Sequence, residues 1–152
     1  MKTLQKGFTL VELIVVIVIL GILAATALPR YVNVATEARI AAMNAVAGGM
    51  RSAVALAQSR YLATGNMTAT TVTMGIGTAT AAVYVAAGTG IPVGRATGIQ
   101  AAMQATDGFT FTCAGGNCTV TQTSGPAACA VTYNGTTGAV NTVALTRANC
   151  GG

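Results

Sequence analysis

Side chains able to do chemistry are few in this sequence, and they are unevenly placed. The acids are Glu12, Glu37 and Asp107 alone, and there is no histidine. General acid–base catalysis and metal binding draw mainly on those residue types. The chain is therefore not expected to be an enzyme, nor to hold a metal or another cofactor. Four cysteines, Cys113, Cys118, Cys129 and Cys150, all fall in the last third. An even, clustered count points to disulfides formed in an oxidising compartment such as the periplasm or the cell exterior. Glu12 is the unusual acid, because it stands near the start of an apolar run. A carboxylate within a membrane span is costly and marks function, and what it needs there is a positive partner.

The elements that position these groups follow from composition and pattern. The chain has 152 residues, the size of one ordinary domain, and is 53% hydrophobic but only 7% charged. A typical soluble domain carries about 25% charged residues. So little charge, with so much Thr, Ala and Gly, describes a surface suited to packing against copies of itself. The net charge is +5, with Lys2 and Lys6 at the start and arginines scattered at 30, 39, 51, 60, 95 and 147. No run of basic residues marks a nucleic-acid patch.

Residues 1–7 (MKTLQKG) are short, polar and basic, and residues 8–28 (FTLVELIVVIVILGILAATAL) are almost wholly apolar. As a helix those 21 residues would span about 31 Å, the thickness of a bilayer core. Lys2 and Lys6 ahead of the span place the N-terminus in the cytoplasm and send the rest of the chain across. An ordinary secretory signal is cut after its apolar stretch, at small residues such as those at 24–27. Here the stretch is longer than such a core and carries Glu12.

The string Lys6-Gly7-Phe8-Thr9-Leu10-Val11-Glu12-Leu13 resembles the processing motif of type IV prepilins. The resemblance implies that a prepilin peptidase cuts between Gly7 and Phe8 and that Phe8 becomes an N-methylated N-terminus. The apolar segment then stays in the mature protein, first as a membrane anchor and later as the core of a filament. Loss of Lys2 and Lys6 leaves the side chains at +3. Glu12, fifth in the mature chain, is expected to attract the new amine of Phe8 on a neighbouring subunit. The plainer alternative is a first-turn acid that complements the helix dipole, and the two roles can coexist. The partners implied are copies of the chain itself, the peptidase/methyltransferase, and an assembly platform in the inner membrane. The localisation implied is the inner membrane for the precursor, then a surface pilus for adhesion, motility or DNA uptake.

Pro29 follows the apolar run. A proline inside a helix removes a hydrogen bond and bends it, or else it ends one helix and starts another. By resemblance Pro29 lies in one long curved helix that loosens near Gly21 and Pro29 in some filaments. Helical patterning resumes with Ile40, Met43, Ala47, Met50, Val54, Ala57 and Tyr61 at spacings of three and four. This stripe is expected to pack on a sheet, with a coiled-coil seam as the alternative. Gly65-Asn66 is a fitting stop.

Residues 66–108 are rich in Thr, Gly and Ala. Short strands are expected at 72–74 and 82–86, and a short helix at 98–105. Gly88, Gly90 and Gly94 imitate a dinucleotide loop, but the third glycine comes one residue late, Pro92 intervenes, and the βαβ context is absent. From Phe109 the pattern alternates: strands at 109–113, 118–121, 129–133 and 139–146, with turns at 114–117 and 134–138. Cys113 and Cys118 flank a turn, and Cys150 can tie the tail to Cys129. Four cysteines allow three pairings, and the sequence does not choose among them. Cys113–Cys118 with Cys129–Cys150 is the expectation. A nested pairing and a zinc site are the alternatives, the latter without the usual close cysteine knuckles. Asn66, Asn117 and Asn134 head glycan-acceptor triplets of a kind expected by chance in a Thr-rich chain.

The fold class expected is α+β: a long N-terminal helix packed on a C-terminal antiparallel sheet. Its parts are a leader (1–7), a membrane and filament-core segment (8–28), an amphipathic continuation (29–64) and a head (65–152), the head comprising a variable loop (65–108) and a disulfide-linked sheet (109–152). The segments at 28–33 and 90–99 also resemble the mannose-sensitive haemagglutinin pilin group. A type II secretion pseudopilin and a minor pilin share the N-terminal machinery and are the alternatives. Major pseudopilins carry a calcium site of acids near the C-terminus, whereas here Asp107 is the only acid after Glu37. Filament-initiating minor pilins often lack the early glutamate.

Overall fold

The computed structural model describes residues 8–76 and 79–151. One helix, α1, runs from Leu10 to Ala63. It is continuous through Gly21 and Pro29, so Pro29 does not end one helix and begin another. Thr64 closes α1, its N–H donating to Arg60 O at 3.1 Å, and Gly65 reverses the chain at φ +66°. A positive φ of this kind favours glycine.

Two antiparallel sheets follow. β1 (Thr71–Ile76) pairs with β2 (Ala79–Tyr84). The second sheet is a meander of β3 (Phe109–Ala114), β4 (Asn117–Gln122), β5 (Ala130–Asn134) and β6 (Val140–Asn141). A short helix, α2 (Arg147–Cys150), ends the described chain. The architecture is α+β, with a long helix against antiparallel sheets.

The stripe on the second half of α1 builds the core. Met43, Ala47, Met50, Val54, Ala57 and Tyr61 are buried, with Ile40 half-buried at the margin. Strand alternation supplies the opposite wall: Val72 and Met74 on β1, Cys118 and Val120 on β4, Val131 and Tyr133 on β5. Each large apolar side chain so buried contributes roughly 1.5–3 kcal/mol. The stripe packs on sheet residues of its own chain rather than forming a seam with another helix.

Two tyrosines fasten the core to loops. Tyr61 OH donates to Met67 O and accepts from Gly88 N–H at 2.7 Å. Tyr133, 1% exposed, donates to Pro92 O at 2.6 Å, and burial pushes its hydroxyl pKa up.

Three expected elements differ. The strand expected over 82–86 is β2, Ala79–Tyr84, and Val85 beyond it makes only an isolated bridge with Pro92. The fourth strand, expected over 139–146, is only Val140–Asn141. Asn141 Oδ1 accepts from Val143 N–H at 2.8 Å, and this Asx turn takes the backbone out of the ladder. Thr146 then caps α2, its hydroxyl accepting from Asn149 N–H at 3.2 Å. The helix expected over 98–105 is instead one π-helical turn, Ala96–Gln100. Gly98 lies so close to the backbone of Val93 that a Cβ would come within 2.0 Å of Val93 O.

Candidate functional site

The start of α1 is built by Thr9 and Glu12. Thr9 is the N-cap, and its hydroxyl accepts from Glu12 N–H at 3.2 Å. In return Glu12 Oε2 accepts from Thr9 N–H at 3.0 Å and from the Thr9 hydroxyl at 2.8 Å. This is a capping box, in which two unsatisfied donors of the first turn are met reciprocally. The signal was present in the spacing Thr9-x-x-Glu12, which the sequence reading took only as motif and dipole. The carboxylate is therefore half committed: Oε2 is held by its own helix end, while Oε1 has no partner among the described residues. A first-turn carboxylate with one free oxygen can accept an ammonium group. Among the described residues it has no neighbouring acid, base or thiol with which to transfer a proton or a group.

Phe8 precedes the cap and is 85% exposed. Gly7 and the rest of the expected leader, with Lys2 and Lys6, lie outside the described residues. Leu10–Ala27 has a mean hydropathy of 2.8 and none of it is buried by the rest of the chain. Leu, Ile and Val side chains project on every side of it, so no face is reserved for a partner within the chain. A Cβ added at Gly21 would meet nothing within 4 Å.

The cysteines form Cys113–Cys118 and Cys129–Cys150, and no free thiol remains for zinc. The first bond joins residues paired across the β3–β4 hairpin. Gly115 and Gly116, at φ +57° and +81°, make its two-residue turn, which needs positive φ at both positions. The second bond ties α2 to the segment entering β5. Among the described residues no three His, Cys, Asp or Glu side chains gather as metal ligands.

A clamp without a sequence signal lies at the other end of the chain. α2 docks on α1 a few residues after the apolar segment. Thr36, 3% exposed, donates its hydroxyl to Gly151 O at 3.1 Å, and Arg39 donates to Cys150 O at 3.2 Å. Arg147 Nε meets Glu37 Oε1 at 2.6 Å with both side chains exposed. An exposed ion pair is worth about 0–1 kcal/mol, so the buried contacts and the disulfide carry the clamp. No sequence signal links positions 36–39 to 150–151.

Comparison with known proteins points the same way as Glu12 and its helix. The family described as "Prokaryotic N-terminal methylation motif" matches residues 2–28. The type IV major fimbrial protein FimA of Dichelobacter nodosus is 48% identical over 54 residues, covering 36% of this chain and 35% of its own. The type IV major pilin protein PilE1 of Neisseria gonorrhoeae is 54% identical over 54 residues, covering 36% and 33%. A fimbrial protein of Neisseria meningitidis serogroup B is also 54% identical over 54 residues, covering 36% and 32%. The chain thus matches these curated relatives over about a third of their length. No solved structure matches it significantly.

Proposed function

We propose that this chain, which carries the N-terminal methylation motif and shares about half of 54 aligned residues with type IV major pilins, is itself a type IV pilin: a structural, non-enzymatic subunit of a surface filament. The observation that carries the reading is an apolar helix segment, Leu10–Ala27, with no cover inside the chain and a carboxylate at its head.

In this reading the leader (1–7) is removed between Gly7 and Phe8 by a prepilin peptidase, and Phe8 is N-methylated. Residues 8–28 hold the precursor in the inner membrane, with the disulfide-linked head on the oxidising side. An assembly platform then lifts the subunit into a filament, where the same segment packs against its copies. The continuation (29–64) carries the head (65–152), and the helix loosens near Gly21 and Pro29 as the filament forms.

Cleavage creates an α-amine one residue before the N-cap. The free Oε1 of Glu12 is the acceptor for that amine on a neighbouring subunit. In a dry apolar core such an attraction is far stronger than in water. An unpaired carboxylate in lipid is penalised, so pairing draws the subunit from bilayer into filament. Processing and assembly are in this way chemically linked.

Glu12→Ala tests the pairing. Leader removal, followed by gel mobility, stays intact, while the yield of sheared surface filaments falls to near zero. Normal filament yield from that variant would refute the charge pair and leave Glu12 with only its capping role.

A further inference from the structure

We propose that the head carries a binding cleft for a carboxylated sugar, built around Arg95 and Tyr84. The proposal concerns the head alone and does not rest on the filament reading. The cleft has a volume of about 660 Å³, within the range of roughly 300–1,000 Å³ usual for small-molecule sites. It opens where the end of β2, the loop after Pro92, the β3–β4 turn and the β5–β6 turn converge.

Its floor is a glycine junction. Gly135 N–H donates to Gly116 O at 2.9 Å. A Cβ on Gly94 would fall 1.9 Å from Gly116 O, and one on Gly135 would fall 2.1 Å from Gly94 N. Three glycines from three separate loops thus lie backbone against backbone, and any side chain there would push the loops apart and disrupt the cleft floor.

Arg95 is exposed, and its guanidinium makes no hydrogen bond or ion pair with a described residue. The other arginines of the head and its supporting helix differ: Arg39 and Arg51 hold backbone carbonyls, and Arg147 holds Glu37. Among the described residues Arg60 is similarly unengaged. No acid lines the cleft. Tyr84, 49% exposed, and the hydroxyl-bearing Thr97 and Thr136 line the cleft together with Arg95.

Each component matches one part of the ligand. The planar fork of a guanidinium pairs with a carboxylate in two parallel hydrogen bonds. An exposed aromatic face takes the C–H face of a pyranose ring, and threonine hydroxyls both donate to and accept from sugar hydroxyls. A nucleic acid is a poorer fit, because a single cation does not make a phosphate-tracking stripe.

The test uses the full-length chain in detergent micelles, with tetragalacturonate as probe and its fully methyl-esterified form as the uncharged control, followed by calorimetry and NMR shift mapping. The acid binds and the ester binds at least about tenfold more weakly, since a hydrogen-bonded charge contributes that much. Arg95→Gln lowers affinity for the acid by about tenfold or more, Tyr84→Ala by several-fold, and Arg60→Gln leaves it unchanged. Both cleft residues are exposed, and unchanged thermal unfolding of their variants confirms intact folding. The expected shift footprint covers Gly135 and Thr136. The proposal is overturned by absence of binding, by equal binding of acid and ester, by wild-type affinity in Arg95→Gln, or by equal losses in Arg95→Gln and Arg60→Gln.

Discussion

Leu10–Ala27 and Val34–Ala63 belong to one helix but answer to two solvents. The first stretch has a mean hydropathy of 2.8 and none of it is buried; in the second an 18-residue window reaches 1.3, and 39% of that window is buried inside the chain. Hydrophobicity all round and hydrophobicity in a stripe are different instructions. The stripe, from Met43 to Tyr61, finds its cover on β1, β4 and β5. The uniform stretch has no cover among the described residues; in the proposed reading lipid and then other copies supply it. The boundary between the two coincides with the place where α2 is clamped to Thr36 and Arg39. The head is thus fastened to the helix just beyond the part that serves another environment.

The contrast can be broken most severely at the clamp. The double variant Cys129→Ser/Cys150→Ser should lose about 2–5 kcal/mol of head stability in urea unfolding, the usual cost of removing such a bond. Helical circular dichroism from the apolar stretch should persist after the head unfolds. An unchanged urea midpoint would show that the tail is held without the disulfide.

A matched pair of truncations sharpens the comparison within α1. Met50→Ala should cost about 2–5 kcal/mol, because Met50 is fully buried and a cavity remains. Ile17→Ala, at a site 56% exposed in the single chain, should stay within about 0.5 kcal/mol in the same measurement. Equal losses would mean that the two stretches are not separate in kind.

The smallest effect is at Tyr133. Tyr133→Phe removes the bond to Pro92 O and should cost about 1 kcal/mol. Its folded-state pKa is raised, so the folded form keeps the phenolic proton longer than the unfolded form does. That contribution is fully present below about pH 10 and is lost as pH rises further. Urea midpoints measured across that range should fall in the native protein and fall less in Tyr133→Phe.

Much of this was readable before the structure because local pattern and global fold agree. The helical stripe, Gly65 as a stop and the alternation from Phe109 each follow from one period or one turn. The Cys113–Cys118 pairing was one of three open to the sequence, and the β3–β4 hairpin, with Gly115 and Gly116 at positive φ in its turn, sets the two residues opposite each other. Strands near 72–74 and 82–86 were visible in outline; β1 is longer at both ends, and β2 begins three residues earlier and ends at Tyr84, since the Thr and Ala of this segment carry little signal. The rest depended on contacts distant in sequence. α2 is four residues long and exists through Thr146, Cys150 and its docking on Thr36 and Arg39. β6 is cut short by the side chain of Asn141. The junction of Gly94, Gly116 and Gly135 has no period to betray it. At the helix start, Glu12 was expected as an assembly residue by resemblance, while its tie to Thr9 needed the capping pattern to be applied to it.

The central claim is that the chain is cut before its apolar segment and then polymerises through it. Mass spectrometry of the N-terminus of sheared surface filaments tests this directly. The predicted result is a chain beginning at N-methylated Phe8, with residues 8–28 retained. A chain that keeps Met1, or one that begins after the small residues near Ala27, would contradict it.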